Sequence, residues 1–343
     1  MTVLKACSIS LVRRAVHPTE SRAIPGLDAL LLGLFVVLLP GLGGTDVHAA
    51  ELSLSGDMGG QMPFRSVGPM VGLMEETEQN SPEKPPWWST ADWSRQTKVA
   101  ALTAGTIGAI AAIGFIQWDY GSHSFRRAEE GWFEQDSNFG GADKLGHLFS
   151  CYALASVYNR IYQHWGYDPN DAILLSAATS WLTMSVTELG DGFSNSQGFS
   201  YEDEIMNTIG VGLAYLRHRF PAVRERIDFR MEWFPSPSVL HAERLDLLTD
   251  YSGQKYLLAF KLDGWLRTGS PILKALELQV GYYTRGYVDE DEQFFHGERR
   301  YGYVGIGLNM TYLLEQLTGH RAAGIFDYYQ VPYTYLPARW KCD

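Results

Sequence analysis

Three short stretches of this sequence carry the side chains able to do acid–base or metal chemistry. The first is Asp143-Lys144-Leu145-Gly146-His147, whose i, i+4 spacing puts Asp143 and His147 on one helical face. The second ends in Glu188 and Asp191, and the third runs from Ser200 through Asp203 to Asn207, again with an i, i+4 pair. Brought to one point, these groups have two uses. Asp143, His147, Glu188, Asp191 and Asp203 could ligate a divalent metal, while His147, Glu188 and Asp203 are the candidates for acid–base hydrolysis, with Lys144 stabilising charge. The spacing fits neither His-Glu-x-x-His nor Glu-x-x-His, so beyond a divalent metal no cofactor is implied. Nucleophilic catalysis is weakly supported, because there is no Gly-x-Ser-x-Gly and no Ser or Cys has a motif linking it to a base.

Each member also has a simpler role. Asp143 follows Gly140-Gly141-Ala142 and suits a helix N-cap. Ser200, with an acidic residue three places on, is close to a capping box, and Asp191 in a Gly-rich stretch suits a turn. Glu188 is harder to explain away. It ends the run from Ser180 to Glu188 in apolar surroundings, near a helix C-terminus whose dipole opposes it. Such a carboxylate must sit beside a cation, share a proton or hold a metal, because burying it alone costs several kcal/mol. Lys144 and His147 are its expected partners.

The elements that position these residues can be read from periodicity and punctuation. Lys98 to Trp118 is an apolar helix of small residues, long enough to cross a membrane or to be buried in a bundle, and Gly105, Gly108 and Ala112 would admit a second helix closely. Lys144 to Trp165 has a 3.6-residue apolar period. Pro169-Asn170-Asp171 introduces Ala172 to Leu189, and Pro221 stops a helix that begins at Tyr201. Beyond about residue 240 the period becomes two, in 255–263, 276–283 and 301–312, which predicts antiparallel strands. The expected fold is therefore α+β, a bundle of about four helices followed by a small antiparallel β region. Too few strands are present to close a barrel.

At the N-terminus, Lys5, Arg13, Arg14 and Arg22 precede the apolar run Ala29 to Leu42 and then Val47-His48-Ala49-Ala50, the pattern of a secretory signal. The expected division is a signal peptide over 1–50, a flexible linker over 51–96 ending near Trp87-Trp88, a helical domain over 97–235 and a β-rich region over 240–343. Residues 1–49 hold four of the 28 basic and three of the 39 acidic side chains, leaving 24 against 36 and a net charge of −12. That balance argues against nucleic acid as a partner and leaves a membrane or membrane-protein surface as the expected one. The 10 Trp and 19 Tyr suit such a surface. No Cys lies between the apolar run and Cys151, which speaks against lipid attachment at a processed cysteine. Of the three cysteines, Cys7 falls in the presequence; Cys151 reads as a buried small hydrophobe, with a disulfide to Cys342 as the alternative.

Taken as an ordered set, four pieces resemble the YfiM-like predicted periplasmic lipoproteins. They are Asp143-Lys144-Leu145-Gly146-His147, Thr187-Glu188-Leu189-Gly190-Asp191-Gly192-Phe193-Ser194, Gly198-Phe199-Ser200 with Asp203, and Asn207-Thr208-Ile209-Gly210. Longer members show a segment like Asp250 to Tyr256, followed by Gly281-Tyr282. A looser likeness is to VanZ-like membrane proteins, which share the Asp-Lys-x-x-His opening and a later Asp-x-x-x-Asn helix. The resemblance implies an envelope location and a shared fold, and no reaction. The expected function is an exported periplasmic or outer-membrane-associated component, structural or interacting rather than catalytic. The alternatives are a hydrolase of an envelope lipid or glycan and an integral inner-membrane protein.

Overall fold

A computed structural model describes residue 90 and residues 92–241, 248–318 and 321–342. The expected signal sequence, Cys7 and nearly all of the expected linker lie outside the described residues. The described chain is mixed α+β, with four long helices followed by a five-stranded antiparallel sheet.

Local chemistry sets the helix ends. Helix α1, Arg95–Gln117, starts where the Ser94 hydroxyl accepts a hydrogen bond from the Thr97 amide at 3.1 Å. Helix α2, Ala142–His164, follows two glycines with φ of 61° and 81°, a left-handed step that costs glycine little. A Cβ at Gly141 would lie 2.4 Å from the Trp132 carbonyl oxygen, so only glycine lets the chain pass there. Helix α3, Pro169–Asp191, is capped by Asp168, and Pro169 takes the first position, where no amide is needed. Helix α4, Tyr201–Arg219, is capped by Ser200 and ends before Pro221.

Helix α2 is the hub, packed on both α3 and α4, while α1 lies against α3. Helices α2 and α4 touch closely because position 210 is glycine: a Cβ there would lie 2.3 Å from the Leu148 carbonyl oxygen. On α3 and α4 much of the buried face is polar and much of the exposed face apolar. Helix α3 buries Ser176, Ser180, Thr183, Thr187 and Glu188 and exposes Leu174, Trp181, Leu182 and Leu189. Helix α4 buries Asp203, Asn207 and Arg217 and exposes Ile205, Ile209 and Leu216. The buried hydroxyls bond backbone carbonyls, as Ser180 does to Cys151 at 3.0 Å and Thr187 does to Thr183 at 3.1 Å. Cys151 is fully buried, and both it and Cys342 are free thiols.

The sheet is a meander in the order β1 Ile227–Trp233, β2 Gln254–Lys261, β3 Leu276–Arg285, β4 Arg299–Leu308 and β5 Tyr335–Lys341. It starts earlier than the alternation after residue 240 indicates, since β1 pairs with β2 from Ile227↔Phe260 to Trp233↔Gln254. One face buries Asp228, Arg230, Glu277, Gln279 and Tyr303. The other packs Phe229 and Tyr256 onto Phe149 and Tyr152 of α2. Farther along, this second face exposes Leu258, Leu278, Val280, Val304, Ile306 and Leu336. The first face thus buries charge beside the apolar cluster of Leu257, Ala259, Tyr283 and Tyr303, and the second is largely apolar, covered by α2 at one end and exposed at the other.

Candidate functional site: a polar centre at the helix ends

The start of α2, the end of α3 and the start of α4 meet at one end of the bundle. Lys144 is wholly buried there, and its ammonium touches Glu130 at 2.5 Å, Asp143 at 2.9 Å and Asp203 at 3.0 Å. Asp203 also faces His147, with Nε2 4.0 Å from Oδ2. Glu188 is buried and accepts a hydrogen bond from the Ser200 amide. Ser200 caps α4 through the Asp203 amide at 3.2 Å and donates to Glu202 at 3.2 Å. Asn207, one turn deeper, receives the Cys151 thiol at 3.5 Å.

Two overlapping ligand sets result, with Asp203 common to both. One donor atom from each of Glu130, Asp143 and Asp203 lies within 4.8 Å of the others, and so does one from each of His147, Glu188 and Asp203. The first set encloses the Lys144 ammonium. In the second, Glu188 has no Lys or Arg in ion-pair range among the described residues.

The electrostatics follow from burial and crowding. Burial, then Asp203, pushes the Glu130 carboxyl up to about 8 despite Lys144. Asp143 is raised by burial against the pull of Lys144. Burial alone would lower His147, but Asp203, Glu188, Asp143 and Asp191 outweigh it and carry the imidazolium up to about 9. Burial would raise Asp203; His147 and Lys144 outweigh that and hold it below the usual carboxylate range. Asp203 is therefore the carboxylate favoured in its charged form between two cations, while Glu130 and Asp143 are shifted toward their protonated forms.

The structure brings Asp143, Lys144, His147, Glu188, Ser200 and Asp203 to one place, with Asn207 a turn away. Of the two partners expected for Glu188, His147 is near and Lys144 is engaged by three other carboxylates. Asp143 is an ion-pair partner in the first turn of α2, and Gly141 takes the cap position expected for it. Asp191 is the last residue of α3, beside Tyr120.

Two contributors come from the connection between α1 and α2 and were not singled out in the sequence. Glu130 is the closest partner of Lys144, and Tyr120 donates to the Thr187 carbonyl at 3.0 Å. Neither position lies on a periodic segment that would have marked it.

A second buried network, also unanticipated, joins the far end of α4 to the sheet. Arg217 pairs with Asp228 at 2.9 Å and Asp327 at 2.8 Å. Arg230 pairs with Asp228 at 2.8 Å and Glu277 at 2.7 Å, and Lys261 reaches Asp228 at 2.9 Å. The only sequence signal was the alternation Asp228, Arg230, Glu232 in β1.

Residues 129–219, a little over a quarter of the chain, match a family described as predicted periplasmic lipoprotein (DUF2279). The matched segment holds Glu130 and all eight residues picked from the sequence motifs. No curated protein and no solved structure matches. The family description agrees with export to the periplasm or outer membrane and attaches no reaction to the site.

Proposed function

We propose that this chain is a membrane-embedded component of the cell envelope, held by lipid around its apolar exterior, with the polar centre joining α2, α3 and α4 from within. The observation that carries this reading is the run of large apolar side chains exposed on both halves, over an interior that holds buried charge beside its apolar clusters. Water favours apolar groups inside, yet Leu174, Trp181, Leu182 and Leu189 of α3, Ile205, Ile209 and Leu216 of α4 and one stretch of the sheet face point outward while Lys144, Asp203, Arg217 and Arg230 lie within. Acyl chains reverse that preference. Helices survive there because their backbone groups are paired internally, and buried hydroxyls bonded to carbonyls are at home there.

Dimensions and flanks support the same reading. Helices α1 and α3, each 23 residues, are long and apolar enough to cross a bilayer. The end of the bundle opposite the polar centre carries basic and aromatic groups suited to headgroups: Arg95 lies over Tyr167 at 5.0 Å and Arg219 over Phe220 at 5.5 Å. Exposed Arg224, Arg267 and Lys274 lie on the neighbouring turns and would meet anionic headgroups.

Extraction tests the proposal. The full chain should stay with the membrane pellet through alkaline carbonate and urea and dissolve in detergent; release by carbonate would remove the reading. Leu182→Lys, on the exposed face of α3, should lower membrane-inserted yield, because a lysine in the hydrocarbon costs about 2.5–3.5 kcal/mol on insertion scales. In a chain surrounded by water the same change would be nearly neutral. Density-gradient separation of the membranes then tells outer from inner.

A further inference from the structure

We infer that His147, Glu188 and Asp203 form a binding site for one divalent transition-metal ion, the counterpart of the neighbouring set that Lys144 fills. This goes beyond lipid embedding and does not depend on it. The argument starts from the shared residue. Asp203 gives one oxygen to the Lys144 ammonium at 3.0 Å and turns the other toward His147 at 4.0 Å. Three acidic groups around Lys144 show that this end of the bundle is built to enclose a cation. The adjoining set has the same compactness, with its three donor atoms within 4.8 Å, but converges on no ammonium or guanidinium of the described residues.

Its donor chemistry differs as well. One imidazole and two carboxylates are a nitrogen–oxygen set suited to zinc or manganese rather than to calcium or magnesium, which favour oxygen alone. Metal–ligand bonds of about 2.0–2.2 Å put neighbouring ligand atoms of a tetrahedral site about 3.3–3.6 Å apart. Side-chain rotations that bring the donor atoms about an ångström closer would close the set. His147 keeps 16 % of its side-chain surface exposed, which leaves a way in from outside.

Unpaired buried atoms give the independent sign of a ligand. Asp143, only 3 % exposed, has one carboxylate oxygen without a partner, and the His147 Nδ1 four residues along the same face has none either. A metal-bound histidine commonly donates its remaining N–H to a carboxylate, and these are the two groups such an arrangement needs. Asn207, fully buried one turn below Asp203, has an amide nitrogen with no acceptor, as expected beside a ligand or metal-bound oxygen.

The test uses the full chain in detergent, stripped with EDTA and titrated with Co²⁺ by visible absorption and with Zn²⁺ by calorimetry. One equivalent of each should bind, and X-ray absorption of the zinc form should show one imidazole among oxygen ligands. His147→Ala and Asp203→Asn should each weaken binding by at least roughly tenfold, the loss that even an outer-shell partner brings, whereas Glu277→Gln, in the distant sheet network, should leave it within a few-fold. If a ligand variant fails to fold, the absorption spectrum of the unaltered chain decides. Absence of stoichiometric Co²⁺ and Zn²⁺ binding, a sulfur ligand, or affinity indifferent to His147 would overturn the assignment.

Discussion

Buried charge occurs at both ends of α4, and the two assemblies are balanced differently. Toward the sheet, Arg217, Arg230 and Lys261 face Asp228, Glu277 and Asp327, so each charge has an opposite one in ion-pair range. At the start of α4, five carboxylates (Glu130, Asp143, Glu188, Asp191 and Asp203) are gathered around one lysine and one histidine. The first assembly is balanced in charge, three cations against three anions. The second reaches neutrality only by holding protons or accepting a cation. Balance suits a lock between helix and sheet; an excess of one sign suits a place where something binds.

The largest expected effect comes from breaking the balanced end. Asp228→Asn leaves Arg217, Arg230 and Lys261 facing one anion fewer in a buried site, and loss of one partner from such a network costs about 3–5 kcal/mol. Chemical unfolding of the detergent-solubilised chain measures it. A loss below about 1 kcal/mol, the value of an exposed pair, would show that water reaches this network.

Titration should separate the two ends by sign. Burial alone would raise Asp228, but Lys261, Arg217 and Arg230 outweigh it and hold the carboxyl far below its ordinary value. Its contribution is present above the unfolded value of about 3.9 and disappears as pH falls through the folded one. His147 behaves oppositely: held at about 9 against an ordinary 6.5, it stabilises the metal-free chain below 6.5 and loses that contribution as pH rises through 9. Glu130 adds to the same trend, since its protonated folded form is increasingly disfavoured from about 4.5 up to 8, with no further loss above. Melting temperature should therefore fall at both extremes, and acid should release the sheet first. A metal-free chain whose melting temperature climbs from pH 6 to 9 would contradict the placement of these groups.

The smallest effect should come from Glu130→Gln. It removes a direct partner of Lys144, yet two other carboxylates remain on the ammonium and one excess acid is relieved. Stability should change by no more than about 1 kcal/mol. A loss equal to that of Asp228→Asn would mean that the two ends are balanced alike.

The sequence exposed one end far better than the other. Ser200, Pro169 and Pro221 punctuate the helices by the chemistry of their own backbone, so α3 and α4 could be placed within a few residues. Motif residues on helices inherit that precision. Glu130 does not, because a loop has no period from which a partner can be inferred. Strand β1 was missed for a different reason. Asp228, Arg230 and Glu232 alternate with Ile227, Phe229, Met231 and Trp233, but a charged face ordinarily signals solvent, and here it is the buried one. Strand β5 contains Pro337, which speaks against a strand in sequence and is tolerated here at the sheet edge. Pairing is a property of three dimensions: Lys144 and Glu188 have compatible spacing, yet the ammonium went to the nearer acids.

Tyr120 gives the molecule a mechanical property. Its ring fills the space where a Cβ at Gly114 or Gly190 would lie only 2.1 or 2.3 Å from it, and its hydroxyl holds the Thr187 carbonyl. One phenol is therefore wedged between the last turns of α1 and α3. A shift of α1 relative to α3 would press this ring against the turn that carries Glu188, so the position of the first helix is coupled to the carboxylates through a single side chain.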